Sequence, residues 1–354
     1  MKKTISAKRW LTTFFISLLA LVTLLCALSF AVDPLFRFRV GNGKYHLKEG
    51  FSHVGLVKNA KYDTIILGSS MTQNFSTEMF SSVLDCKALL VGIGGVGLDE
   101  IISYIEYAQK LGKVKHFYIC ADQYLFTTPK QSVTPEYLFS DSILSDLRYL
   151  LSYETYFRFL PVSLVLTVAD RLGITFPDEV AKKADVNSFT SWDNNFTFSE
   201  ETVIENYLSG DYKTSSVNKN GIEERVKDSI DRLFEIVDTS KSDFTFFFPP
   251  YSALWWCDAE RDGLIDTYIM AKEYFFEKAA VLGIEVYDFQ TEDFTLDLDN
   301  YKDTTHYSKE INNYMTECFK NKTMLLTKEN LESNRQELEA NVNAFKASHP
   351  ELFK

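Results

Sequence analysis

Cysteine and histidine are both scarce in this chain, with five of each among 354 residues. The cysteines stand at positions 26, 86, 120, 257 and 318, so there is no C-x-x-C pair and no spacing that would ligate a metal. Cys26 falls in an apolar run. Of the other four, Cys120 sits in an apolar strand pattern and is expected to be a buried free thiol. One disulfide is open to the remainder in an oxidising compartment, but none can be assigned. Basic residues are also in deficit: 37 Lys and Arg against 49 Asp and Glu give a formal net charge of -12. A surface of that sign excludes nucleic acid as a main partner, because phosphate binding needs a basic face. The shortage of histidine narrows the search for a general base to His46, His53, His116, His306 and His349.

Long apolar runs are missing except at the start, where Lys2, Lys3, Lys8 and Arg9 precede an uncharged stretch from Trp10 to Val32. A bilayer span needs roughly 20 apolar residues. A positive flank stays in the cytoplasm, so one pass here puts everything after Val32 outside, as a membrane-anchored cell-surface protein. Ser29-Phe30-Ala31 also suits a signal-peptidase site, but the run is long for a signal peptide and an uncleaved anchor is favoured.

From Asp33 to Lys58 the sequence reads as a juxtamembrane connector containing "GNGKYHLKEG". From Tyr62 onward, short apolar strands alternate with helical stretches. "TIILG" precedes a helix over Thr77–Leu84, "ALLVGIGG" precedes one over Asp99–Leu111, and "HFYICAD" is a third strand. "DFTFFFPP" and "GIEVYDF" follow helical stretches over Glu223–Val237 and Tyr268–Leu282. This alternation predicts a mostly parallel sheet with helices on both faces, whose ligands bind at the C-terminal strand ends. Between 127 and 220 the alternation fails, and an aromatic-rich, largely helical insertion is expected, either a lid or partner surface or an ordinary elaboration. The expected division is a basic flank at 1–9, the anchor at 10–32, the connector at 33–58, an α/β domain at 59–322 with its insertion, and a polar helical tail at 323–354. Leu331, Leu338, Val342 and Phe345 give that tail a weak apolar stripe, which suits a docked or frayed helix better than a coiled coil.

Two motifs carry chemistry. In "YDTIILGSSMTQNF", Ser69 and Ser70 follow Gly68 at the end of the first strand. They can cap a helix, or one can be a nucleophile whose oxyanion is held by the N-terminus of the helix that follows. In "NYKDTTHYS", after the last strand, Asp303 stands three residues before His306. An Asp at that offset can fix the tautomer of the imidazole and leave its second nitrogen as a base. Each motif alone is weak. Together, at the first and last strands of one sheet, they are far more specific. "GIGGVG" over Gly92–Gly97 also satisfies G-x-G-x-x-G, but on the second strand and with Asp122 as the only candidate acidic partner, so nucleotide binding is the lesser reading. "FFFPPYSALWW" brings Tyr251, Trp255 and Trp256 to the end of the fourth strand, where they can stack on a sugar, cover an acyl chain, or pack in the core.

With "GSS" after the first strand and "DTTH" near the end, the chain resembles the SGNH/GDSL hydrolase superfamily, in its membrane-anchored cell-surface branch, over about Tyr62–Phe319 less the insertion. The resemblance implies a three-layer α/β/α flavodoxin-like domain. It also implies Ser70 as nucleophile, His306 as base, Asp303 as its orienting partner, and Ser69 in place of the usual aspartate. The family's glycine block matches "VGIGGVG", with Gly94 or Gly95 as oxyanion donor. Its asparagine block falls on "CADQ", where the chain departs from the pattern: Asp122 stands for the asparagine, and Gln123 or a backbone N–H is a possible substitute. The activity implied is esterase or O-acyltransferase action, without metal or cofactor, on acetyl or D-alanyl esters of a cell-envelope polysaccharide or teichoic-acid-like polymer. The rival is a catalytically weak or inactive accessory protein that binds glycan or docks on a membrane-bound O-acyltransferase. Asp122 and the insertion favour this rival.

Overall fold

The computed structural model describes residues 6–40, 47–128, 132–174, 196–210 and 217–353. His46 and most of the polar stretch beginning at Ser191 lie outside the described residues. In chain order the first elements are helices α1 (Ala7–Val32) and α2 (Glu49–Asn59), strand β1 (Thr64–Gly68), α3 (Thr77–Leu84), β2 (Ala88–Gly92), α4 (Leu98–Leu111), β3 (His116–Cys120) and α5 (Gln123–Thr127). Helices α6 (Ile143–Leu150), α7 (Leu160–Arg171), α8 (Glu200–Ser209) and α9 (Ile222–Glu235) follow. The chain continues with β4 (Asp243–Phe248), α10 (Ala253–Arg261), α11 (Ile265–Val281), β5 (Glu285–Asp288), α12 (Lys309–Asn321) and α13 (Leu331–Ser348).

By internal contacts the chain divides into two compact units. One is Met1–Ala60 with Thr134–Ala184, and the other is Lys61–Val133 with Asp185–Lys354. The insertion expected over 127–220 is therefore not one piece. Residues 134–184 group with the N-terminal segment, and the rest of the insertion with the sheet.

In the larger unit the described strands form one parallel sheet in the order β2-β1-β3-β4-β5. All residues of β1 and β2 are buried. Successive side chains point to opposite faces, so both faces of these strands are covered, which explains why they read as continuous apolar runs and not as alternating ones. Sheet growth reverses between β1 and β3, and the C-terminal ends of these two strands flank the crevice that such an order creates. Gly68 and Gly92 end β1 and β2 in register. A Cβ on Gly68 would stand 2.5 Å from the Thr72 methyl and 2.7 Å from the Cys120 Cβ, and one on Gly92 would stand 2.9 Å from the Thr72 hydroxyl. Only glycine lets the 69–73 turn fold down this close over the sheet edge. Cys120 is a free, buried thiol. The tail helix α13 docks on α10 and buries Leu338, Val342 and Phe345.

In the smaller unit, α1 is long and apolar enough to cross a membrane. The connector differs from the loop expected of it, because α2 occupies residues 49–59. Its glycine has a packing role: a Cβ on Gly55 would meet the Leu35 carbonyl oxygen at 2.1 Å. After α1 the chain turns at Asp33, a left-handed C-cap whose buried carboxylate accepts from the N–H groups of Arg37, Phe38 and Arg39 at 2.9–3.1 Å. The Tyr149 hydroxyl of α6 donates to the same carboxylate at 3.0 Å. Arg37, also buried, donates to Asp146 and to the Leu138 and Ser140 carbonyls. These bonds tie α6 to the end of α1.

Candidate active site

The two serines after β1 divide their roles. Ser69 makes the cap: its Oγ accepts from the Met71 N–H at 3.3 Å, opening a single 3₁₀ turn over Ser70–Thr72. Helix α3 begins at Thr77, as the sequence suggested, under its own cap, Ser76. Ser70, relieved of capping, places its Oγ 2.8 Å from His306 Nε2.

His306 arrives on the loop between β5 and α12, and that loop is fastened on two sides. Tyr301 and Tyr307 pair across its base, and the Lys302 N–H donates to the His306 carbonyl at 3.0 Å. Toward the serine turn, the Tyr307 hydroxyl donates to the Met71 carbonyl at 3.0 Å, and the Asn74 amide donates to the Tyr307 carbonyl at 3.3 Å. Toward the end of β4, Ser252 donates through both its N–H and its hydroxyl to the Thr304 carbonyl, while the Tyr301 hydroxyl reaches the Pro250 carbonyl. The imidazole is thus positioned by backbone attachments.

Asp303 completes the line. Its carboxylate oxygens lie 2.7 and 2.9 Å from His306 Nδ1. It also accepts from the His306 and Thr305 N–H groups and from the Thr305 hydroxyl at 2.8–3.0 Å. Burial on its own would raise the pKa of this carboxyl. The hydrogen bonds and charge of His306, with the N–H of Thr305, outweigh burial and hold it at about 2. With the proton on Nδ1 facing the carboxylate, Nε2 is the acceptor for the Ser70 hydroxyl. The arrangement can draw a proton from Ser70, store it on the imidazole, and return it to a leaving group. Thr305 is a member of this cluster that sequence reasoning passed over, although the density of polar residues in "DTTHYS" was its signal.

The remaining candidates do not join this line. Asp122, buried at the end of β3, accepts from the Ser69 hydroxyl at 2.6 Å, from the Tyr124 N–H at 3.0 Å and from the Tyr251 hydroxyl. Both of its oxygens act as acceptors, so it offers the oxyanion no donor in place of an asparagine amide. Tyr251 is 2% exposed, and burial together with the Asp122 charge pushes its phenol well above the usual range. Trp255 and Trp256 are buried too and pack with Tyr268. None of the three presents a free face for a sugar. Gln123 is buried and reaches Gln290 at 3.4 Å. Gly94 and Gly95 lie exposed in the turn after β2, with Gly95 at a φ of 65° that suits glycine. His116 bonds Thr245 on the neighbouring strand, and His349 stacks on Phe345. No protein-family model matches the chain, and no curated protein matches it.

Proposed function

We propose that this chain is a membrane-anchored serine esterase or O-acyltransferase of the SGNH type. In this reading its sheet unit is a three-layer α/β/α domain outside the cytoplasm, with α3 and α12 on one face and α9 and α11 on the other. The observation that carries the proposal is the unbroken line from Ser70 Oγ to His306 Nε2, at 2.8 Å, and from His306 Nδ1 to Asp303, at 2.7 Å. Ser70 Oγ attacks an acyl carbonyl while its proton passes to Nε2. The tetrahedral intermediate collapses, the C–O bond to the alcohol breaks, and Nε2 protonates the departing oxygen. Water or an acceptor hydroxyl then attacks the acyl-serine by the same steps in reverse. The Ser70 N–H and an N–H of the Gly94–Gly95 turn are assigned to the oxyanion. An acetyl or D-alanyl ester on a cell-envelope glycopolymer suits an outward-facing anchored enzyme that needs no metal or cofactor.

Labelling of the intact chain with a fluorophosphonate tests the proposal. Wild type is expected to react at Ser70, with loss of reaction in Ser70→Ala and His306→Ala. A folded wild type that does not react overturns the enzymatic reading.

One observation favours a second reading, that of a non-catalytic partner of a membrane-bound O-acyltransferase. Asp122 stands where the family supplies a side-chain donor, and its oxygens are engaged by Ser69 and Tyr251. A wild-type phenotype for Ser70→Ala in cells would select this reading.

A further inference from the structure

Helix α7 carries no charge until Asp170 and Arg171 in its last turn. Its Leu160, Ser163, Leu166 and Ala169 are buried, at the spacing of one helical face. The opposite face carries no charge before Arg171 in the last turn: Val165 is 61% exposed and Val168 53%, and Leu172, just past the helix, 70%. Just before it, Phe157 is 73% exposed, and on α6 Ile143 and Leu144 are both 78% exposed. No charged residue stands between Arg158 and Asp170. A helix apolar on every side belongs in a core or in lipid. An apolar run this short, when it is not in a core, is the mark of a re-entrant or interfacial segment. An exposed apolar face of this extent also demands an occupant.

The occupant follows from what α7 packs against. Both α6 and α7 contact α1 within the same unit. The covered face of α1 runs through Val22, Leu25, Cys26 and Ser29 to Val32, while Phe15, Leu19 and Leu24 on its other sides are exposed. Those covered positions extend about 15 Å back from the C-terminal end of the helix, at 1.5 Å per residue. The contact therefore lies inside the apolar span and not beyond it. The buried bonds of Tyr149 to Asp33 and of Arg37 to Asp146 hold α6 at that end of α1.

We propose that the 143–172 segment is a wedge embedded beside α1 in one leaflet, the leaflet at the C-terminal end of α1, with the outer faces of α6 and α7 in contact with lipid acyl chains. This rests on the reading that α1 spans a bilayer. The wedge gives the anchor a second membrane element of fixed orientation. Arg158 before the uncharged run, and Arg171 just past Asp170 at its other end, have stems long enough to reach the headgroups.

The test is collision accessibility of a nitroxide on the full chain in phosphatidylcholine/phosphatidylglycerol vesicles. The label is placed at Val165→Cys or Val168→Cys in a background with Cys26→Ser and Cys86→Ser. Lys115→Cys, whose native side chain is 80% exposed on the sheet unit, serves as the water control. Oxygen concentrates in the bilayer and a charged nickel chelate stays in water. The expected result is oxygen collisions dominating at 165 and 168, with the reverse ratio at 115. Nickel-dominated collisions at 165 and 168, in protein that floats with the vesicles, overturn the wedge and leave the anchor standing. Low collision rates with both reagents show a protein cover and overturn it equally. Protein that does not float removes the anchor and the wedge together.

Discussion

Two buried carboxylates stand one side chain away from the Ser69–Ser70 turn, Asp122 on Ser69 and Asp303 behind His306, and they are used in opposite ways. Asp303, on the loop after β5, faces an imidazole, a group that changes charge. Asp122, at the end of β3, faces the hydroxyls of Ser69 and Tyr251, which stay neutral. Both are almost fully excluded from water, at 2% and 5% exposed. Burial therefore does not separate a carboxylate that serves a reaction from one that serves the fold. The partner does: a carboxylate steers chemistry only when the group it holds can take up a proton. The network around Asp122 instead locks the turn that carries Ser70 to the end of β3 and to Tyr251.

Substitution should separate the two most sharply. Asp303→Asn keeps the shape but removes the preference for a proton on Nδ1. Fluorophosphonate reaction at Ser70 should fall on the order of 10³- to 10⁴-fold, as expected when the imidazole is left in the wrong tautomer. Asp122→Asn should leave the reaction within about tenfold of wild type, since no donor to the reacting atoms is lost. Equal losses in both variants would erase the distinction.

Acid sharpens it further. The Asp303 carboxyl is held at about 2 in the folded chain, below its ordinary 3.8. A depressed carboxyl contributes stability above its unfolded value and loses it as pH falls through the folded one. Between about pH 4 and pH 2, wild type should therefore lose roughly 2 kcal/mol more unfolding free energy than Asp303→Asn, at 1.36 kcal/mol per pKa unit. Denaturant midpoints measured across that window, on both proteins, check the sign.

A smaller effect is expected in the hydroxyl network. Tyr251→Phe removes one donor from a buried carboxylate and should cost about 1–3 kcal/mol of stability, with Ser70 labelling unchanged. If labelling drops with stability intact, Tyr251 acts on the reaction after all. Ser69→Ala removes a donor to the same carboxylate as well as a cap and should cost a similar amount, about 1–3 kcal/mol. Thermal melts paired with labelling rates distinguish these outcomes.

The parallel sheet was legible in the sequence because its strands are buried on both faces, which leaves unbroken apolar runs such as Ile65–Leu67 and Phe246–Phe248 between turn residues. The meeting of Ser70 with Asp303 and His306 was legible because a glycine and hydroxyls end the first strand and the D-x-x-H pattern lies on the loop after the last one, both free of the sheet. The fastenings of the His306 loop were not legible. Tyr307 to Met71 and Ser252 to Thr304 are long-range bonds to backbone carbonyls, and a carbonyl leaves no trace in residue identity. The aromatic cluster was left between a cleft and the core for a related reason: tyrosine and tryptophan near a strand end fill either as readily, and the burial of the Tyr251 hydroxyl against Asp122 decides for the core. Helix α2 was hidden because glycine and charge dominate the stretch before it, while Gly55 inside it serves close packing against Leu35.

Ser70 and His306 stand 236 residues apart in the chain. The imidazole is held at the serine through contacts that Tyr307, Ser252 and Thr304 make, so it is not in place beside Ser70 while those later residues are still being made. Throughout synthesis, and through any passage across a membrane that begins at the N-terminus, Ser70 is an ordinary alcohol, no more reactive than a surface serine. Contacts so distant in sequence close late in folding. Under the proposed function, reactivity therefore switches on in the last stage of assembly, when the loop after β5 docks, and a chain that stops short of that loop would carry Ser70 in an inert form.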